Sequence, residues 1–513
     1  MRRSAGWVAF LAILAGLMIT AGIVLAVGRE DPLVAPSDDT GVFDTDGLLG
    51  WACPEGTVTT VSCGFVEVPA DHDDPEINSQ RLFVALFEGP EGETPTPLVV
   101  LGDRIGPGAV DDLGEWRQLS RDLERGIVLV DLRSTGSSEP QLSCIELLKA
   151  NWLEVDLGDE QAIRLAREQR RRGVQRCLER MEELQGAAPL DVDTMARDLA
   201  RVRQALEIEE WVLVGTDATA EVAVAAEAID AAGVAATVLL AAAPATDDPL
   251  AQRFAYGQEA LLSALDCGRP DCVGDPEFGL LIEAEEALGQ RSVVFTTQVG
   301  SGRRRVSVNQ GSLFPTLALG VHQAELRESL PDFVEGLADR QWRQLATVRG
   351  QEFPLLEYGQ VSPSLWLNCG YPVAELSGPI AEPPPVVETP AGDGAEGEEA
   401  APPEPPSGTD LLTDTRNWYS LADDPQLDPG LCQPARSIGV PLDRPPSGPV
   451  LVVNQAYDYR APTSAADALR NAWPAAEVVV LDRGDRPDLR NPCVAELVSG
   501  FLGGGPTLEG SCQ

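Results

Sequence analysis

The chain contains two histidines, His72 and His322, so any mechanism that requires an imidazole must draw on one of them. The arrangement most suited to chemistry is Gly215-Thr216-Asp217-Ala218-Thr219, directly after the apolar run Trp211–Val214 and before an Ala-rich stretch. A tight turn between a buried strand and a helix lifts its central side chain above the sheet. Here that side chain is Asp217. Two later carboxylates stand at equivalent places after apolar runs, Asp458 after Val450–Val453 and Asp485 after Val478–Leu481. A carboxylate can act as a nucleophile, but the ester it forms needs a base to activate water, and Asp485 is a poor base at neutral pH. Three carboxylates in one pocket also repel one another and favour protonation. A cation held among them is the alternative that this triad of acids leaves open.

Six apolar runs position these residues: Leu98–Leu101, Ile127–Val130, Trp211–Val214, Thr237–Leu240, Val450–Val453 and Glu477–Leu481. Their continuity, with helical stretches between, predicts strands buried on both faces of a parallel sheet. Cys63–Pro69 and Arg81–Phe87 alternate and read as an antiparallel pair before them. Helices are expected over 194–207, with Asp193 or Thr194 as cap, over 218–232 and over 491–502. Residues 244–375 lose the alternation and read as a mostly helical cap. Gly378–Ser407 holds nine prolines, seven acids and no base, a composition that buries no core, so a disordered insertion over 376–410 is expected. The resulting organisation is a tip at 1–6, an apolar segment at 7–27, a tether at 28–50, sheet domain at 51–243, cap at 244–375 and sheet domain again at 411–513.

Arg2 and Arg3 precede the uncharged stretch Trp7–Val27, and Arg29-Glu30-Asp31 close it. At 1.5 Å per residue it spans about 30 Å, the thickness of a hydrocarbon core. The charge distribution predicts a single-pass anchor in the cell membrane with the bulk of the chain extracytoplasmic. A signal peptide cleaved near Val24-Leu25-Ala26 is the competing reading. Ten cysteines, an even count without CxxC or His spacing for zinc, fit disulfides in an exported protein, with connectivity open. With 38 basic and 81 acidic residues the formal charge is −43, a field that repels nucleic acid and anionic lipid and makes both poor partners. No cofactor or metal motif is present.

Together these segments resemble the tripeptidyl-aminopeptidase-like branch of the α/β-hydrolases, secreted serine peptidases similar to proline iminopeptidases. Cys63–Pro69 with Asp71–Pro75 is similar to the branch's "VPLDYDNP" turn, and Gly106-Pro107-Gly108 to the end of its "NGGPG" oxyanion loop. Asp131–Pro140 resembles "DxRGxGxSxP", with Cys144 and Cys177 following; Val450–Pro462 resembles "PVLLLNGxxDPVTP", and Asn491-Pro492-Cys493 to Cys512 the tail. The resemblance implies an α/β-hydrolase fold with a helical cap, a nucleophile at 217, an acid at 458 and a base at 485. It implies oxyanion donors from Gly106, Gly108 and Ala218, and a substrate-amine ligand at Glu325. Ser is replaced by Asp217 and His by Asp485, so only Asp458 keeps a triad residue, and Thr219 replaces the second glycine. The expectation is therefore a catalytically inactive hydrolase-like protein that binds a peptide or envelope partner. An active peptidase or esterase with a non-standard nucleophile is the alternative. Ser137, Ser138, Trp342 and Trp366 read as structural, and His72 and His322 as solvated or locally paired.

Overall fold

The computed structural model describes residues 49–51, 53, 61–76, 78–89, 96–102, 113–140, parts of 161–179, 191–246, 249–265, 276–289, 292–299, 302–351, 439–482 and 486–504. The expected anchor at 7–27, the tether before residue 49, Gly106, Gly108, Asp485, the 376–410 insertion and six of the ten cysteines besides Cys144 lie outside them.

Three strands open the fold: β1 (Leu49–Trp51), β2 (Val61–Pro69) and β3 (Ser79–Phe87), each antiparallel to the next. β4 (Leu98–Leu101), α1 (Leu113–Asp122) and β5 (Ile127–Val130) follow, then α2 (Val192–Ala205), β6 (Trp211–Thr216), α3 (Ala218–Ile229) and β7 (Val234–Leu240). The cap contributes α4 (Pro249–Ala264), α5 (Pro276–Leu288), β8 (Val293–Val299), β9 (Gly302–Val308), α6 (Gln310–Gly320), α7 (Ala324–Glu328), α8 (Leu330–Ala338) and α9 (Trp342–Gln351). The chain returns to the sheet with β10 (Val450–Gln455), α10 (Thr463–Ala472), β11 (Glu477–Leu481) and α11 (Pro492–Leu502).

The nine-stranded sheet runs β1-β2-β3-β5-β4-β6-β7-β10-β11. β3 is antiparallel to β5, and from β5 to β11 every pairing is parallel. Every residue of β4, β5, β6 and β10 is buried, because helices cover both faces and leave no polar side to alternate. Leu82, Val84, Val99, Leu101, Leu213 and Val452 line one face with α2 and α3. Phe83, Leu98, Val100, Val214 and Val453 line the other with α1 and α11. This mostly parallel sheet, broken by an inserted cap, gives an α/β-hydrolase fold.

Two details depart from the sequence expectation. α2 starts earlier, because Asp191, not Asp193 or Thr194, is the cap, its side chain accepting from the Thr194 amide at 2.7 Å. The cap also contains the antiparallel β8–β9 hairpin, where β-branched runs such as Val293-Val294 and Val306 to Val308 favour strands over helix. Its core is its own: Leu261, Leu281, Phe314, Leu317, Val334, Leu337 and Leu345 pack together, and Trp342 joins them.

Cys53 and Cys63 form a disulfide, and Cys493 is also disulfide-bonded; among the described residues no cysteine is free. The described residues contain no helix long and apolar enough to cross a membrane.

Candidate functional site

The turn between β6 and α3 is a strained elbow. Asp217 stands at φ 52° and ψ −118°, a region that a residue with a Cβ rarely occupies. Its amide is held by Leu240 O at 2.9 Å, at the end of the neighbouring strand β7. Gly215 is required by close approach: a Cβ there would lie 2.6 Å from Thr219 O and 2.8 Å from Ala220 Cα. Thr219, where a second glycine is expected, is fully buried and staples the turn, its Oγ1 accepting from Thr216 N at 2.8 Å and donating to Thr216 O at 2.9 Å. Hydrogen bonds thus hold the elbow where the resemblance has only a small residue. The backbone geometry of a nucleophile elbow is present, with a carboxylate on it.

Asp458 sits in the turn after β10 and its side chain is 1% exposed. One oxygen accepts from the Arg460 amide at 2.9 Å and the other from Arg486 Nε at 3.0 Å. Asn454, within β10, exchanges two hydrogen bonds with the Ala242 backbone and fixes the strand that carries this turn.

Arg460 and Arg486 join these two acids. Arg460 Nη1 pairs with Asp217 Oδ2, and Arg486 Nη2 lies 3.1 Å from the same oxygen. Arg486 therefore bridges Asp217 and Asp458, the place a catalytic imidazole occupies between nucleophile and acid. Arg460 Nε also donates to the Tyr459 hydroxyl at 2.8 Å. Burial by itself lowers the Arg460 guanidinium, but the neighbouring charges of Asp217, Tyr459 and Asp458 outweigh it and hold it well above the ordinary arginine value. The side chains of Asp217, Arg460 and Arg486 keep 22%, 32% and 24% of their surface exposed, so the network faces solvent while Asp458 does not. The two carboxylates are matched by two guanidiniums, and the four side chains sum to zero charge.

The cap rests on the same turn. Tyr459 packs against the cap core, Arg327 stacks on the Tyr457 ring at 4.3 Å, and Gln455 Nε2 donates to His322 O at 3.4 Å. Glu259 of α4 accepts from the Ser464 amide at 2.9 Å and from its hydroxyl, capping α10, whose N-cap Pro462 offers no side-chain acceptor.

The sequence-derived residues are distributed as follows. Asp217 and Asp458 share the network. Ala218 opens α3, so its amide is one of the helix-start donors that lack an intrahelical partner. Glu325 lies exposed on the five-residue helix α7, and its backbone carbonyl accepts from Ser329. Gly106, Gly108 and Asp485 fall outside the described residues. Ser138 is buried and donates to Asp131 O at 2.6 Å while accepting from the Phe83 amide at 2.9 Å. Gly136, at φ +51°, brings the chain against the Asp131 carboxylate, where a Cβ would sit 2.2 Å from an oxygen.

His72 is neither solvated nor paired nearby. Its Nε2 lies 2.8 Å from Asp198, 126 residues away, and Asp198 is itself forked by the fully buried Arg133 at 2.6 and 2.7 Å. That cluster ties the turn at 70–72 to α2. His322 lies in the turn between α6 and α7.

Arg460 and Arg486 escaped the sequence reading. Their signal was position: each follows an expected triad residue by two or one places in a chain where arginines are outnumbered by acids.

No protein-family model matches the chain, and no curated protein does either. Solved structures similar to it include a bacterial membrane phospholipase A described as a virulence factor, 14% identical, covering 97% of each chain at a TM-score of 0.34. The proline iminopeptidase of Mycobacterium smegmatis is 13% identical over 86% of this chain and 98% of its own, at 0.35. An α/β hydrolase from Novosphingobium aromaticivorans is 14% identical over 87% and 99%, also at 0.35. At these identities and scores no activity passes from them to this chain, and the fold rests on its own sheet order and elbow.

Proposed function

We propose that this protein is a catalytically inactive member of the hydrolase-like fold, anchored in the membrane through Trp7–Val27. In this reading its extracytoplasmic domain binds a peptide or envelope partner. The observation that carries the inactivity is the pairing of Asp217 with both Arg460 and Arg486. A carboxylate neutralised by two guanidiniums is a weak nucleophile, and the position between it and Asp458 is filled by a side chain that stays protonated and cannot accept a proton at neutral pH. His72 is engaged with Asp198, away from the elbow. The same pairing disfavours a cation among the acids, since their charge is already matched.

A charge-neutral network beneath the cap suits recognition without turnover. In the anchored reading the extracytoplasmic space supplies peptide and envelope components as partners. Exposure of the purified protein to a fluorophosphonate probe, with turnover of amino-acid arylamides and short-chain esters followed in parallel, tests the reading. Absence of both label and turnover is expected. Labelling of any serine, or turnover that disappears in Asp217→Ala, would overturn it.

A further inference from the structure

Helix α1 carries two arginines that no described residue neutralises. Arg117 and Arg121 lie four residues apart, one turn along the same side of the helix. Arg117 is half-buried, and its Nε and Nη1 are enclosed without a hydrogen-bond partner. Burial lowers its guanidinium from the ordinary arginine value and the Arg121 charge lowers it further, while no carboxylate raises it. Arg121 is exposed, and among the described residues neither arginine forms an ion pair. Arg125, in the turn that follows, is also half-buried and lowered by burial, its Nη1 donating to Thr96 O at 3.0 Å. The acids of α1 are engaged elsewhere: Glu115 pairs with Arg490 at 3.2 Å, and Asp122 accepts from Gln118 at 2.8 Å. Glu124 stands exposed in the following turn at φ 51°. α1 packs on β3, three places from β6 in the sheet, so the arginine pair is separate from the elbow.

We infer that Arg117 and Arg121 form a binding site for a doubly charged phosphate group, free or as a terminal monoester. A buried donor left unpaired costs about 1–3 kcal/mol, and more when the group is charged, so the two enclosed N–H groups of Arg117 are a defect that a bound acceptor removes. Water supplies an acceptor but leaves the charge uncompensated. Like charges four residues apart also destabilise a helix, and an anion held between them replaces that repulsion by attraction. Two guanidiniums match the charge of a phosphate at neutral pH, about −1.5 to −2, better than the single charge of a carboxylate, and their forks match its oxygens. Nη2 of Arg117 is not enclosed with the other two nitrogens, so the guanidinium is open at that corner. A small turn of the long side chain then presents an edge that joins Nη2 to one of the enclosed groups. The total charge of −43 opposes anions at a distance, but charges more than about 10 Å away are screened at ordinary ionic strength, and the local pair governs the contact.

Equilibrium dialysis of the full chain, in neutral detergent, against radiolabelled inorganic phosphate tests the site. One phosphate per chain is expected, bound about tenfold more weakly or worse in Arg117→Gln and in Arg121→Gln. Acetate at equal ionic strength should displace no more label than chloride does. Displacement by glycerol phosphate assigns the site to monoesters, and its failure assigns it to the free ion. Arg117→Met keeps an apolar stem and removes the stranded donors, which separates binding from folding. Without phosphate its urea midpoint should equal or exceed that of the parent chain. With phosphate above its dissociation constant, the folding equilibrium of the parent alone should rise, by about tenfold per decade of phosphate, beyond the salt effect common to both. Absence of bound phosphate, or binding unchanged in Arg117→Gln, would overturn the inference. So would displacement by acetate as readily as by phosphate. A loss of stability in Arg117→Met that is equal with and without phosphate would overturn it too, by making Arg117 a packing residue of α1.

Discussion

Asp217 and Arg460 stand 243 positions apart in the chain and form an ion pair at the elbow. β6 and α3 bring the first, and the turn after β10 brings the second. The pair ties a residue held at positive φ to the turn on which the cap sits, because Arg460 also holds the Tyr459 hydroxyl and Tyr459 packs into the cap. The network thus couples the elbow to the cap.

The strain at Asp217 has a measurable consequence. Asp217→Ala and Asp217→Gly both lose the contacts to Arg460 and Arg486, but only glycine relieves the positive φ of 52°. Glycine should be the more stable of the two by about 1 kcal/mol, read from urea midpoints at equal slope. The opposite order would mean that the elbow relaxes when its carboxylate is removed.

Arg460 lies well above its ordinary value, so its contribution is complete at every pH below the ordinary arginine value and is lost only as pH rises through the higher folded one. Across neutral pH that contribution is constant. Replacing it by a group that titrates there exposes the coupling. Arg460→His, if it still reaches Asp217, has a folded pKa raised above its usual value of about 6.5. Its advantage over Arg460→Gln should be present below that pH and lost as the pH climbs past it. Melting curves of the two variants that stay parallel from acid to neutral pH would argue that residue 460 does not sense the Asp217 charge.

Much of this was legible in the sequence. The runs Leu98–Leu101, Ile127–Val130, Trp211–Val214 and Val450–Val453 needed only their continuous burial to be read as parallel strands, since each is short, apolar and β-branched. Gly215 and Asp217 marked the elbow because a strand ending on glycine before an Ala-rich helix has few other shapes. The β8–β9 hairpin was not legible, because Arg303-Arg304-Arg305 hides the alternation that Val306 and Val308 continue. Nor was the ion network. A side chain's partner across 243 residues depends on where two loops end, and periodicity says nothing of that. Asp191 was missed as a cap for a simpler reason: three polar residues, Asp191, Asp193 and Thr194, compete within four positions.

Thr219 offers a check on how the elbow survives without its second glycine. Its hydroxyl both accepts from and donates to Thr216, fully out of water. Thr219→Val keeps the shape and strands both backbone groups, so a loss of about 1–3 kcal/mol is expected, whereas Thr219→Ser should cost less. Thermal unfolding of the two variants gives the ranking. Equal losses would show that the methyl group, not the hydroxyl, matters. Gly215→Ala should be worse than either, since its new Cβ meets backbone atoms that cannot rotate away.

The bridging position of Arg486 decides which substitutions would rebuild chemistry. The sequence places a base at Asp485, but the neighbouring Arg486 reaches both Asp217 Oδ2 and Asp458 Oδ2, at 3.1 and 3.0 Å. An imidazole grown from residue 486 is therefore directed between the elbow and the buried acid, which would orient it. Asp217→Ser/Arg486→His should hydrolyse p-nitrophenyl acetate measurably above background, while each single change stays at background, because nucleophile and base act as a unit. The gain should be small, since a rebuilt triad still depends on oxyanion donors that the substitutions do not touch. Adding Asp458→Asn should remove most of it by losing the orienting carboxylate. If Asp217→Ser/Asp485→His proves the more active pair, the base belongs at 485, and Arg486 is only a clamp on the two acids.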